Sequence, residues 1–416
     1  MRDYYYSRKQ SSLVSYSNFE RVELNETAKF IIERIEEGES LVNMPALIAE
    51  SYEVSYGVAK QDVKSFVGEL ASKGIDLKDK TDACHSWKMH TPIVHIIQSC
   101  NSPCIMCDCW KTKRNTFHSI EMLKPFFKEI KNHGAEQIMV SGGEPLLHPE
   151  LPQILECLQE LGLSVSLNTN GILLGQHLYL HEAKLDELIV SMDGHDSATY
   201  KSVRGTNAFD KVWKNIKNFK ENSPETEVGI RITLGRKNFK TVDKIIDLAR
   251  AAGIDGIGIS PADVDSKSFS RNDMEGARIN ELTEMMIPSK EEIITYLKEF
   301  VKGSNYYEKI LEAKEEGLLI WGPSEFIKCM KFYFSIRNGV ENSFSPDLCN
   351  FPFGSMVLDY NGDLKNCFYS KPFGNLYQLE KADWSCKESL DDLYESNRCS
   401  SCRGKVFCDS ELIANQ

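Results

Sequence analysis

Three cysteines, Cys100, Cys104 and Cys107, stand in the run Cys100-Asn-Ser-Pro-Cys104-Ile-Met-Cys107. A CxxxCxxC loop behind an apolar strand can give three thiolates to one iron–sulfur cluster, and it offers no fourth protein ligand. Clusters that only carry electrons are usually held by four protein ligands, so three leave one iron open to a small molecule. That asymmetry points to chemistry at the cluster. Three close thiolates with a remote fourth ligand would also make a closed zinc site, and spacing by itself leaves both open.

The elements around this loop must position it. Residues 92–97 lead in as an apolar strand, and a second strand at 137–140 ends in Ser141-Gly142-Gly143-Glu144-Pro145. Further apolar strands fall at 165–167, 188–190, 228–233 and 256–260. Between them, 119–132, 149–161, 209–222 and 240–252 have helical spacing, as Leu151, Ile154, Leu155 and Leu158 show. This alternation over residues 90–262 predicts an α/β fold of six βα units, with ligands at the strand C-termini. Residues 263–345 read as a helical connecting region; a capping box, Ser289-x-x-Glu292, opens one of its helices.

Over residues 90–262 the chain resembles the radical S-adenosylmethionine (radical SAM) superfamily, and the resemblance continues into the C-terminal cysteines. It implies a partial (β/α)6 TIM-like barrel. It also implies a 4Fe–4S cluster on Cys100, Cys104 and Cys107, with S-adenosyl-L-methionine chelated to the open iron through its amino and carboxylate groups. The turn Gly142, Gly143, Glu144 and Pro145 is implied to bind the methionine amine, since glycines admit close backbone approach and a carboxylate meets an ammonium. Ser191 and Asp193, in Ser191-Met192-Asp193-Gly194, are implied on ribose and carboxylate. Arg204, in Val203-Arg204-Gly205, is implied on the methionine carboxylate, and Asn168, in Asn168-Thr169-Asn170-Gly171, near the same rim. The family usually has an aromatic residue before the third cysteine. Met106 stands here, apolar and adaptable, with Trp110 as the nearest aromatic replacement.

Residues 1–80 read as a small α+β domain. Strands at 12–16 and 20–24 precede a helix with Asn25 as N-cap. A second helix spans 45–52, and a third carries Ala59, Val63, Phe66, Val67 and Leu70 before stopping at Gly74. Two strands and three helices resemble a winged helix. The pattern Leu24-Asn25-Glu26-Thr27-Ala28, with Asp62-Val63 and Leu70, resembles the PqqD type of peptide-recognition element. That resemblance implies that residues 1–80 bind the leader of a precursor peptide as an added strand on the sheet edge. A structural cap on the barrel and a DNA-binding winged helix are the alternatives. The second is weakened because the third helix carries only Lys60, Lys64 and Lys73 among several acids. Residues 81–89 form a linker.

Cys349 is followed by twelve residues, Gly362, four residues and Cys367. Next come Cys399-Ser-Ser-Cys402 and, five residues on, Cys408. The first segment reads as a hairpin of 355–360 and 363–367, turning at Asn361-Gly362. Residues 346–416 resemble the cysteine-rich SPASM and twitch auxiliary-cluster domains of radical SAM proteins. This implies one auxiliary iron–sulfur cluster, a 4Fe–4S cluster on Cys349, Cys367, Cys399 and Cys402. Cys408 is an alternative to either of the last pair, and Cys386 is a further option. Leu412 stands where the two-cluster pattern continues with cysteine, and a zinc knuckle at Cys399, Cys402 and Cys408 is the other reading. Cys84, Cys109, Cys157 and Cys329 belong to no motif and read as buried free thiols.

Composition narrows the setting. Thirteen cysteines, an odd number without tidy pairing, fit metal binding in a reduced, cytoplasmic interior. The start Met1-Arg2-Asp3-Tyr4-Tyr5-Tyr6 lacks the apolar core of a signal peptide, and no run reaches transmembrane length. We expect no membrane partner. A net charge of −12 disfavours an extended nucleic-acid surface.

The resemblances together imply a radical SAM oxidoreductase of the peptide-modifying, maturase type. One electron, from a donor such as flavodoxin or ferredoxin, would break the sulfonium of S-adenosylmethionine, and the 5′-deoxyadenosyl radical would take hydrogen from a peptide carbon. The product would be a thioether, ether or carbon–carbon crosslink in a ribosomally synthesised precursor peptide. The alternatives are a radical SAM dehydrogenase of a small alcohol or sugar, an epimerase with Cys329 or Cys157 as hydrogen donor, and a metal-bearing binding scaffold.

Overall fold

The computed structural model describes residues 4–8, 10–15, 20–77, 89, 91–112, 116–271, 274–339, 352, 355–384 and 386–395. Cys84, Cys349, Cys399, Cys402 and Cys408 lie outside these residues, as does most of the linker at 81–89.

Tyr4–Ser7 (β1), Ser12–Ser15 (β2) and Arg21–Glu23 (β3) form an antiparallel sheet in that order. The sequence predicts two strands here; the tyrosine run supplies a third. It shows no polar alternation because both of its faces are covered. Tyr4 and Tyr6 join Leu13 and Val22 in a core with the adjoining helices, while Tyr5 and Val14 join the large core of the rest of the chain. The helices are Glu26–Glu36 (α1), Met44–Ser51 (α2) and Tyr56–Ser72 (α3). Asn25 caps α1, accepting from the Ala28 N–H at 2.8 Å.

Six parallel strands follow in sequence order: Ile93–Ile97 (β4), Gln137–Gly142 (β5), Ser164–Thr169 (β6), Glu187–Ser191 (β7), Glu227–Leu234 (β8) and Gly256–Pro261 (β9). Between them lie Ile120–Asn132 (α4), Leu151–Glu160 (α5), Ser197–Arg204 (α6), Phe209–Asn222 (α7) and Val242–Ala251 (α8). Each long helix buries one apolar stripe, for example Leu123, Phe126, Phe127 and Ile130 of α4. The sequence reading omits α6, which has only two buried residues, Tyr200 and Val203. Asp196 caps its start, accepting from the Thr199 N–H at 2.7 Å, and Gly205 ends it at φ +69°.

Helices Gly276–Met286 (α9), Lys290–Glu299 (α10), Asn305–Glu315 (α11) and Pro323–Asn338 (α12) make up the connecting region. The Ser289/Glu292 capping box forms at the start of α10. From α12, the Tyr333 hydroxyl donates to the Leu234 carbonyl at 2.5 Å and accepts from the Ala262 N–H at 2.7 Å. It thereby ties together the ends of β8 and β9.

The C-terminal hairpin forms at the predicted turn, with Gly362 at φ +84°. Val357–Leu358 (β10) pairs antiparallel with Asp363–Lys365 (β11), which pairs with Pro372–Asn375 (β12). β10 also pairs in parallel with β4, so the hairpin extends the barrel sheet to nine strands. Among the described residues, no helix is long and apolar enough to cross a membrane.

Candidate active site

A cavity opens at the C-terminal ends of β4 to β9. Strand residues alternate inward at the period of two and put His95, Ser141, Asn168, Ser191, Arg231, Thr233 and Ser260 on its wall. Cys100, Cys104, Cys107, Gly142, Gly143 and Arg204 line it too. Of the predicted residues, Glu144, Pro145 and Asp193 stay behind the wall.

The cysteine loop is clamped from two sides. On one, the Gly143 N–H donates to the Ile97 carbonyl at 2.7 Å and the Glu144 N–H to the Ser99 carbonyl at 2.9 Å. A Cβ on Gly143 would fall 2.2 Å from the Gln98 carbonyl oxygen; one on Gly142, at φ +151°, would fall 2.4 Å from that of Ile97. The glycines therefore serve close packing against the cysteine loop as well as access to a ligand. On the other side, the Ile105 N–H donates to the Val203 carbonyl at 3.0 Å, and the Ser102 hydroxyl to that of Arg204 at 3.1 Å. A Cβ on Gly205 would lie 2.2 Å from the Pro103 carbonyl oxygen.

Two predicted carboxylates are turned to protein partners. Glu144 is fully buried and accepts from the Thr169 hydroxyl at 2.6 Å, the Asn170 N–H at 2.7 Å and the Leu146 N–H at 3.0 Å. Burial raises its pKa, and these bonds oppose the rise. The carboxylate locks the turn after β5 to the end of β6, leaving the glycine backbone at the cavity. Asp193 is also fully buried, with Oδ2 2.5 Å from Arg204 Nε and Oδ1 accepting from the Thr233 N–H at 2.6 Å. Burial raises its pKa and Arg204 opposes it. Asp193 thus stands behind Arg204, whose Nη1 is 3.7 Å from Cys104 Sγ.

The donor set fits an iron–sulfur cluster and its ligand. Burial pushes the Cys100 thiol up to about 12, so its thiolate needs a cation, which metal coordination supplies. Cys100, Cys104 and Cys107 line one wall, where each thiolate could meet a different iron of a cluster. Asn168 Nδ2 donates to the Ser141 hydroxyl at 3.3 Å, but its Oδ1 is buried with no partner among the described residues. Such an atom is costly unless a ligand donor meets it.

Sequence reasoning missed several wall residues. His95 stacks on Tyr360 with ring centroids 4.6 Å apart, and Tyr360 and Phe368 reach the cavity from the C-terminal hairpin region. Only the β10–β4 pairing brings them there, and no local pattern announces it. Phe269 lines the cavity from the segment after β9 at φ +62°. Its carbonyl accepts from the Asp108 N–H at 2.9 Å. Met106 does line the wall, whereas Trp110 is 42% exposed and outside it, so Trp110 does not replace the missing aromatic. Cys157 and Cys329 are buried in α5 and α12, away from the wall. Cys367 Sγ accepts from the Tyr369 N–H at 3.4 Å, and Cys386 is buried.

Residues 94–249 match the radical SAM superfamily, and residues 17–75 match the coenzyme PQQ synthesis protein D (PqqD) family. A probable GTP 3′,8-cyclase of Saccharolobus islandicus (strain M.14.25 / Kamchatka #1) is 31% identical over 180 residues, which is 42% of this chain. The match spans 58% of that relative's length. Among solved structures, Streptococcus suis SuiB bound to S-adenosylmethionine has a TM-score of 0.50 at 16% identity, covering 95% of this chain and 89% of SuiB. Native anSMEcpe with bound AdoMet and Kp18Cys peptide has a TM-score of 0.51 at 18% identity, covering 77% of this chain and 88% of that one. At these identities the two structures show a shared fold. The cysteine loop, the glycine turn and the six-stranded half-barrel all fall within or beside the matched segment, so residues 94–249 form a radical SAM domain, and a PqqD-type segment at residues 17–75 precedes it.

Proposed function

We propose that this chain forms a 5′-deoxyadenosyl radical and uses it to modify a ribosomally synthesised precursor peptide oxidatively, leaving a thioether, ether or carbon–carbon crosslink. One observation carries the reading: Cys100, Cys104, Cys107, the Gly142–Gly143 backbone, Asn168, Ser191 and Arg204 share one cavity wall in a chain that also has a PqqD segment. Cys100, Cys104 and Cys107 would hold the 4Fe–4S cluster. When bound, the cluster and S-adenosylmethionine supply one-electron cleavage to a carbon radical that takes hydrogen from an unactivated position.

The protein's part is to bind, orient and exclude water. Arg204, held by Asp193, presents a fixed guanidinium to a carboxylate, and Asn168 Oδ1 offers an acceptor to an amine or hydroxyl. β3 is an edge strand of its sheet, which suits addition of a leader peptide strand by residues 1–80. The auxiliary cluster, on Cys349, Cys367, Cys399 and Cys402, would take the electron that an oxidative outcome releases; Phe368, beside Cys367, lies on the cavity wall. The reducing electron would come from a flavodoxin- or ferredoxin-type donor. Neither Cys157 nor Cys329, the donors named for the epimerase alternative, reaches the wall.

The test is iron and sulfide analysis, followed by mass spectrometry of short peptides encoded beside this chain after anaerobic turnover. About eight irons per chain, falling to about four in a Cys100/Cys104/Cys107→Ala variant, are expected for two 4Fe–4S clusters. A peptide lighter by two hydrogens supports the reading. A peptide of unchanged mass that exchanges hydrogen with solvent would replace it with redox-neutral chemistry.

A further inference from the structure

We infer that Tyr360, backed by Cys109, is a renewable hydrogen-atom donor to carbon radicals formed in the cavity. The inference rests on the radical chemistry proposed for the same site.

Tyr360 sits in the turn between β10 and β11, and its ring forms part of the cavity wall. Stacking on His95, with 15° between the planes, fixes the ring, so the phenol is held at the wall. Its hydroxyl meets a thiol: Cys109 Sγ donates to the Tyr360 oxygen at 3.4 Å. Cys109 is buried, lies outside the wall, and also touches the Ser270 hydroxyl at 3.3 Å. The CxxxCxxC loop is complete without it, so cluster ligation does not account for this fourth cysteine. The result is a tyrosine on the chamber wall with a thiol at its hydroxyl, a pairing that the hairpin creates by docking on β4.

The chemistry balances. Phenol O–H and thiol S–H bonds are weaker than the C–H bond formed when a primary alkyl radical is quenched, so transfer runs downhill. The Tyr360 O–H bond breaks, a C–H bond forms, and a neutral tyrosyl radical remains. That radical takes a hydrogen atom from the Cys109 thiol, and the sulfur radical is restored by one electron from the low-potential reductant plus one proton from solvent. O–H and S–H bonds are close enough in strength for the exchange to be easy. Such a donor would quench the radical whenever no peptide is in place, sparing the wall residues from oxidation.

Solvent deuterium provides the test, with no peptide needed. Iron-loaded protein in D2O is reduced with titanium(III) citrate and given S-adenosylmethionine, and the 5′-deoxyadenosine is analysed by mass spectrometry. The readout is the labelled fraction, not the yield. Most wild-type product should carry one solvent deuterium. Tyr360→Phe should lower that fraction several-fold at unchanged iron content. Cys109→Ala should keep the label in the first turnover and lose it in later ones. Unlabelled wild-type product, or an unchanged fraction in Tyr360→Phe, would overturn the inference while leaving the radical reading intact. No 5′-deoxyadenosine from iron-loaded protein would instead remove the radical reading itself, and this inference with it.

Discussion

Arg204 Nε and Asp193 Oδ2 lie 2.5 Å apart, with the aspartate fully buried and the arginine at the cavity wall. The pair converts a flexible cation into a fixed one. Removing one member of a buried pair strands the other charge, at a cost of about 3–5 kcal/mol. Asp193→Ala should therefore lower stability by that order in urea unfolding and weaken S-adenosylmethionine binding, although Asp193 itself stays behind the wall. Unchanged affinity in a folded Asp193→Ala protein would show that Arg204 needs no such support.

Gly143→Ala should fail differently. Its Cβ would meet the Gln98 and Ser99 carbonyl oxygens at 2.2 and 2.3 Å, so the cysteine loop must shift. We expect lower iron uptake on reconstitution. Gly276→Ala is the control, since nothing lies within 4 Å of its Cβ position. Equal iron content in the two variants would mean that the loop tolerates the shift.

Glu144→Gln keeps the shape but replaces one carboxylate oxygen with a donor, among three groups that all donate to it. At least one buried bond is lost, for a cost of about 1–3 kcal/mol. Thermal unfolding of the apo-protein should show the loss, and a neutral effect would place the Glu144 carboxylate outside this lock.

His95 predicts a pH dependence. Burial lowers its pKa from 6.5 to about 4, with nearby Asp359 opposing the shift. The unfolded chain then binds the proton first, so stability is full above the unfolded pKa and is lost as pH falls towards the folded one. Burial shifts His118, His133 and His148 in the same direction, so the comparison must be with a single variant. His95→Phe, which keeps a ring against Tyr360, should make the unfolding midpoint less acid-sensitive by at most about 3 kcal/mol. Superimposable profiles would exclude His95 as a contributor.

Much of the barrel is legible because its signals are local. Apolar stripes mark α4, α5, α7 and α8, and Asn25 and Ser289 announce their helices by capping chemistry. What escapes depends on distant partners. Tyr4, Tyr5 and Tyr6 hide a strand because two separate cores cover its faces. Residue type marks Glu144 and Asp193 as important, but only the fold shows that Thr169, Asn170 and Arg204 claim their oxygens. Tyr360 enters the site through the pairing of β10 with β4, and the residues paired there, Val357 and Ile93, are far apart in sequence.

The most direct test of the central claim is 5′-deoxyadenosine formation by anaerobically reconstituted, reduced protein given S-adenosylmethionine. Wild-type protein should release 5′-deoxyadenosine and methionine, and the Cys100/Cys104/Cys107→Ala variant should release neither. Iron-loaded wild-type protein that leaves S-adenosylmethionine intact, or a triple variant that cleaves it equally well, would contradict the account.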